Sequence, residues 1–191
     1  MRNSARVPLV PAVTWYAVGK KAERLTLQCF PQVLVDAEPF PVAEFIEFHM
    51  KDILGFEFEV QELPVSLEAM INPVDRVMTL SEETYMGLVK GVPRSRFTVA
   101  HEIGHVLLHA RYLGDLILEN KGILTLNRGN IPSYKDPECQ ANAFAAALLM
   151  PTRHVKRMID EGYREESIAE LFHVSWDAAH NRLGNLSRYI K

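Results

Sequence analysis

His101, Glu102 and His105 stand in the order His-Glu-x-x-His, and the chemistry open to that order is metal-assisted hydrolysis. Residues four apart on a helix share a face, about one turn or ~6 Å apart along the axis. Imidazoles so placed can converge on one ion at the ~2.0–2.1 Å of zinc–nitrogen bonds. Glu102 lies ~100° further round the helix, so its carboxylate can reach a water beside the ion without acting as a ligand. A catalytic zinc takes three protein ligands and keeps one position open, so a third ligand must come from another segment. His109 continues the stripe, but along a straight helix it lies ~12 Å from His101, too far to share one ion. The extended form of the motif fails as well, because Leu108 and Arg111 occupy its glycine and histidine places. His109 therefore reads as a structural histidine.

Two elements must position this chemistry. The helix carrying the pair is expected over 95–112 and is apolar almost all round (Phe97, Val99, Ala100, Ile103, Val106, Leu107, Leu108), which predicts burial at the centre of the fold. A second helix is expected over 136–150, with Asp136 as N-cap, Pro137 at the first helical position and Pro151 as the stop. Glu138, Ala141, Asn142, Ala145, Leu148 and Leu149 fall on one stripe of it, so Glu138 shares the core-facing side. The alanines at 141, 145 and 146, with Gly104 opposite, allow the two axes to approach closely. A carboxylate on such a stripe needs a partner, and a cation is a sufficient one. Glu138 accordingly ranks as third ligand ahead of Asp136, His154 and His173. Asn142, one turn on, can hydrogen-bond a ligand from behind.

Around these helices the chain reads as α+β and mostly helical. Residues 12–29 predict a helix, and Pro41 opens another to about 50. Residues 56–61 alternate apolar and polar side chains as a half-buried strand does; 68–71 and 76–80 are strand candidates either side of the turn residues Asn72-Pro73-Val74-Asp75. A small antiparallel or mixed sheet follows. The stretch 113–135 predicts a long loop around a short strand at Ile123–Leu126, and three short helices are expected at 152–161, 165–172 and 176–190. The expected division is a metallopeptidase-like domain at 1–160 and a helix-turn-helix-like segment at 161–191.

The 191 residues are 48% hydrophobic and 24% charged with a formal charge of −3, which argues against a general nucleic-acid coat. No apolar run approaches the ~20 residues of a membrane helix, and the first residues lack a signal-peptide core. Cys29 and Cys139 form no disulfide framework, so a reducing, cytoplasmic setting is expected. In the helix-turn-helix-like segment Ser175 is the expected cap and His173 takes the turn position. Arg182, Arg188 and Lys191 against Asp177 make a poor phosphate-contact set, so packing or partner docking is expected there rather than DNA binding.

The block Arg96-Phe97-Thr98-Val99-Ala100-His101-Glu102-Ile103-Gly104-His105-Val106-Leu107-Leu108-His109 is similar to the signature of the ImmA/IrrE metallopeptidases. So is Glu138-Cys139-Gln140-Ala141-Asn142-Ala143-Phe144-Ala145-Ala146-Ala147-Leu148-Leu149-Met150-Pro151. The resemblance implies a small gluzincin-like fold with His101, His105 and Glu138 as metal ligands and Glu102 as catalytic base. It also implies a zinc cofactor, with manganese as the alternative, and cleavage of a helix-turn-helix (XRE-like) repressor or antitoxin that relieves transcriptional repression. The competing expectation is a non-catalytic regulator of toxin–antitoxin type that acts by binding; an intact Glu102 favours the enzyme, because a binder has no use for a general base. A DNA-binding regulator using 163–191 is disfavoured by charge. Tyr85, Tyr134 and His154 are candidate oxyanion donors by type, and the strand near 76–80 is a candidate edge for an extended substrate. Cys139 reads as core filler, His154, His173 and His180 as surface or interface residues, and Trp15 and Trp176 as packing.

Overall fold

In the computed structural model, residues 10–119 and 131–187 are described. The alternating stretch forms β1 (Glu57–Gln61), and a hairpin joins β2 (Ala69–Asn72) to β3 (Val77–Ser81). Asn72 makes that turn: its side-chain oxygen accepts from the N–H groups of Val74 and Asp75, each at 3.1 Å. The strand order is β1-β3-β2, with β2 antiparallel and β1 parallel to β3. The sheet is thus mixed, and β3 lies at its centre with Met78 and Leu80 fully buried. That placement overturns the expectation of substrate pairing along 76–80, since both sides of β3 are occupied; β1 and β2 are the edge strands, and β2 is the one packed against the helix at 93–105.

Helix α1 (Trp15–Cys29) is capped by Thr14 and is followed by the short α2 (Gln32–Asp36). The helix expected from Pro41 runs as α3 (Val42–Glu44), a π-helical turn at Phe45–His49 and α4 (Met50–Leu54). Helix α5 (Glu82–Val89) follows β3 directly and was not anticipated, although Ser81 caps it through the Thr84 N–H at 3.1 Å and Glu82 and Glu83 fill its first turn. Helix α6 (Pro93–His105) begins with proline at its first position and carries the His-Glu-x-x-His residues. It passes through a π-helical turn at Val106–Ala110 into α7 (Arg111–Glu119), so helix replaces the start of the expected loop. The strand expected at 123–126 lies outside the described residues. A 3₁₀ turn at Ser133–Lys135 leads into α8 (Pro137–Leu149), where the Asp136 carboxylate accepts from the Glu138 and Cys139 N–H groups. Helices α9 (Thr152–Asp160), α10 (Glu165–Phe172) and α11 (Trp176–Ser187) complete the described residues.

Helices α6 and α8 pack at the centre of the molecule. Val99, Ala100 and Ile103 meet Phe144, Ala145, Leu148 and Leu149, all fully buried. The last two helices share this core through Ile168, Phe172, Val174 and Ala179. Two arginines tie them to the elements that matter most. Arg96 of α6 donates to the carbonyls of Phe40 and His173, both at 3.1 Å, and reaches that of Phe172. It thereby holds the end of α10, where His173 adopts a left-handed φ of 51°. Arg182 donates to the Met150 carbonyl and to Thr152 Oγ1 at 2.8 Å, which commits it internally and removes it from any phosphate-contact set. Trp15 packs against the core, whereas Trp176 is half-exposed and stacks on His180 at 4.8 Å. Arg96→Ala strands these carbonyls and is expected to cost about 2–4 kcal/mol, read as a lower urea midpoint at unchanged slope.

Candidate metal centre

Helix α6 places His101 and His105 on one face a turn apart, and α8 brings the first-turn Glu138 over them. The imidazole Nε2 atoms lie 2.9 Å apart. Glu138 Oε2 is 3.2 Å from His101 Nε2, and its Oε1 is 3.4 Å from His105 Nε2. One ligand atom from each of the three side chains falls within 4.8 Å of the others. The other three residues considered for the third place lie apart from this group: Asp136 caps α8, His154 Nε2 faces the Val33 carbonyl at 3.1 Å, and His173 ends α10. His154 is buried, which corrects its reading as a surface residue.

The far side of each imidazole is also engaged. His101 Nδ1 is 3.0 Å from Asn142 Oδ1, so the Asn142 amide braces the ring from behind while Nε2 faces Glu138. His105 Nδ1 is 3.1 Å from His109 Nδ1. His109 is buried and lies outside the convergent set, with Nε2 2.9 Å from Gln140 Oε1. His109 lies in the π-helical turn that begins at Val106, four residues after His105 on the same face. Gln140 was not singled out from sequence. Its signal was a polar residue on the otherwise apolar stripe shared with Phe144 and Ala147.

The electrostatics are those of a half-enclosed acidic and imidazole cluster. Hydrogen bonds from His101 and His105 hold the Glu138 carboxyl well below the usual carboxylate range. Burial works against charge on His101, but the Glu138 hydrogen bond and the Glu102 and Glu138 charges outweigh it and raise the pKa. Burial pushes the Glu102 carboxyl up, countered in part by His105 and His101. Burial also lowers the His109 pKa to about 4.

Glu102 sits where two clefts meet. One, of about 460 Å³, is lined by Ala69, Phe97, Thr98, His101, Glu102 and Asn142 among others. The second, of about 260 Å³, includes Ile71, Pro73, His101, Glu102, His105 and Glu138. Residues of the edge strand β2 border both. That strand is pinned to α6 through Glu68, which accepts from Arg94 Nε at 2.8 Å and from Thr98 Oγ1 at 3.0 Å. Among the three expected oxyanion donors, Tyr85 is spent elsewhere, donating to Glu47 at 3.0 Å and stacking on Phe58, and His154 is buried against Val33. Tyr134, half-exposed on the approach to α8, is not among the residues lining either cleft.

Close approach of α6 and α8 requires Gly104. A Cβ there would lie 3.2 Å from the Cα and carbonyl oxygen of Ala141 and from Phe144 Cδ1. Two of those atoms are main chain and cannot rotate aside. Gly104→Ala is therefore expected to cost about 1–3 kcal/mol through overpacking. It should also weaken zinc binding, because α8 carries Glu138; thermal melts with and without zinc check both effects.

A carboxylate oxygen and two imidazole Nε2 atoms facing one another form an acceptor-rich set, and a divalent cation balances it. Residues 90–184 match the family model of Peptidase M78, the IrrE N-terminal-like domain. The chain belongs to that IrrE-like peptidase family. Its fold is the α+β, zincin-like arrangement of a helical core beside a small mixed sheet, and the three side chains fit the metal cofactor of a metallopeptidase-like family. No curated protein matches the sequence. A solved Mycobacterium tuberculosis transcriptional regulator shares the fold, with a TM-score of 0.59 at 17% identity over 88% of this chain. The chain spans 46% of that regulator's length. No helix among the described residues is long and apolar enough to cross a membrane.

Proposed function

We propose that this IrrE-like protein is a metal-dependent endopeptidase that cuts a protein partner, a helix-turn-helix repressor or antitoxin, and so relieves transcriptional repression. The observation that carries the reading is the convergence of His101, His105 and Glu138 beside a half-buried Glu102, at the junction of two clefts bordered by a free strand edge. His101 Nε2, His105 Nε2 and the Glu138 carboxylate would hold the ion. Two imidazoles and a carboxylate suit zinc, with manganese as the alternative. When bound, such an ion supplies Lewis acidity, making water a better acid and polarising the scissile carbonyl.

The protein's own residues then divide the work. Glu102 takes the proton of the attacking water on a carboxylate oxygen and delivers it to the leaving amine. Asn142 holds the His101 ring in place. β2 offers its unpaired backbone groups to an extended substrate segment, which would add as a further strand with alternate side chains entering the two clefts. The exposed Val65, Leu67 and Met70 near this edge provide apolar contact for a protein partner. The name of the structural neighbour, a transcriptional regulator, is compatible with a regulatory partner. The segment 161–191 is proposed as a buttress of the site helices and a partner-docking surface rather than a DNA reader.

The direct test incubates zinc-loaded protein with the helix-turn-helix protein encoded beside it and analyses the products by mass spectrometry. One discrete cut that a chelator prevents is expected. An intact partner that nevertheless co-purifies as a stable complex would replace the peptidase reading with the non-catalytic, binding one.

A further inference from the structure

The polar chain behind His105 is longer than holding one ring requires, and its direction can be read from one end. Gln140 is fully buried in the first half of α8. Its Nε2 donates to two main-chain carbonyls, Tyr134 at 2.8 Å and Pro11 at 3.1 Å. Carbonyls only accept, so the amide has a single satisfactory orientation: nitrogen toward them, Oε1 toward His109 Nε2 at 2.9 Å. An amide oxygen also only accepts, so His109 must carry its proton on Nε2. His109 is 1% exposed and, among the described residues, has no carboxylate hydrogen-bonded to it, and a neutral imidazole with its proton on Nε2 has a bare Nδ1. That bare nitrogen faces His105 Nδ1 at 3.1 Å, which must then supply the proton between them. His105 thus keeps a proton on Nδ1 and turns its Nε2 to Glu138 and His101.

We propose that Gln140, acting through His109, holds a proton on His105 Nδ1, so that Nε2 is the nitrogen presented to the site before any cation arrives. Both are positioning residues; neither touches the reacting atoms. The inference rests on the reading of His101, His105 and Glu138 as a metal-holding set, but its central claim concerns the metal-free protein. The relay also explains why a polar side chain is kept in the core of α8. It links the main chain at Pro11 and Tyr134, ahead of α1 and α8, to the ring on α6.

The test measures histidine tautomers in metal-free, ¹⁵N-labelled full-length protein by long-range ¹H–¹⁵N correlation. The expected pattern is Nε2–H on His109 and Nδ1–H on His105. A His109 protonated on Nδ1, or a His105 without a proton on Nδ1, overturns the proposal. In Gln140→Met the His109 pattern should be lost, and zinc affinity, measured by competition with a chelating dye, should fall ~10–100-fold while the circular dichroism spectrum is kept. Unchanged tautomers and affinity in a folded Gln140→Met also overturn it. Should that variant fail to fold, the tautomers of the unmodified protein still decide. Wild-type protein that shows the expected tautomers yet binds no zinc would discard the metal reading and leave the relay standing.

Discussion

Glu102→Gln is expected to keep the cation and lose cleavage. The glutamine has nearly the same shape and occupies the same junction of the two clefts, but its amide cannot take a proton from water. General-base catalysis is worth ~10²–10⁴-fold, and here the same group returns the proton to the leaving amine, so a loss at or beyond the upper end is expected. Zinc content should stay near that of the wild type, because Glu102 is outside the convergent set of His101, His105 and Glu138. The measurement is single-turnover cleavage of the partner protein alongside metal analysis of the same preparation. Cleavage at the wild-type rate would remove Glu102 from the chemistry. Biological function that survives the loss of cleavage would favour action by binding.

Glu138→Ala should act on the earlier step. Removing one of three ligands leaves two imidazoles that compete poorly with water for the ion, and even an outer partner of a ligand is worth ~10–100-fold in affinity. A loss of at least 100-fold is therefore expected, and His101→Ala should match it. The loss has a thermodynamic signature independent of substrate. At a zinc concentration ~100 times the wild-type dissociation constant, binding stabilises the fold by about 2.7 kcal/mol; a 100-fold weaker variant gains only about 0.4 kcal/mol at the same concentration. Melting curves with and without zinc should thus converge in Glu138→Ala while remaining well separated in the wild type. Equal zinc-induced shifts in both proteins would exclude Glu138 as a ligand.

The two substitutions separate the roles that the geometry assigns, one to proton transfer and one to holding the ion. Arg96→Ala and Gly104→Ala probe the scaffold beneath them. The Arg96 guanidinium ties α6 to the end of α10, and the missing Cβ at Gly104 sets the approach of α8.

What could be read without coordinates was what depends on near neighbours along the chain. The His101–His105 spacing is a local helical relation; so are the Asp136–Pro137 start of α8 and the Asn72 turn, whereas Glu138, expected on the core-facing stripe, stays exposed beside the two imidazoles. Each is decided within about one helical turn or one hairpin loop, where backbone geometry leaves few choices. Even there the reading missed α5, whose start signal of Ser81 followed by two glutamates was visible. It also carried α6 too straight, because no residue pattern marks the π-helical turn at Val106–Ala110. Tertiary packing alone decided the rest: that β1 lies parallel to β3 and makes β3 the central strand, that His154 is buried against Val33, and that Gln140 meets His109 across two helices. The physical reason is the same in each case. These contacts join residues 20 to 121 positions apart, and their partners are selected by which buried polar groups must be satisfied and which apolar faces must close, conditions that exist only once the whole chain has packed.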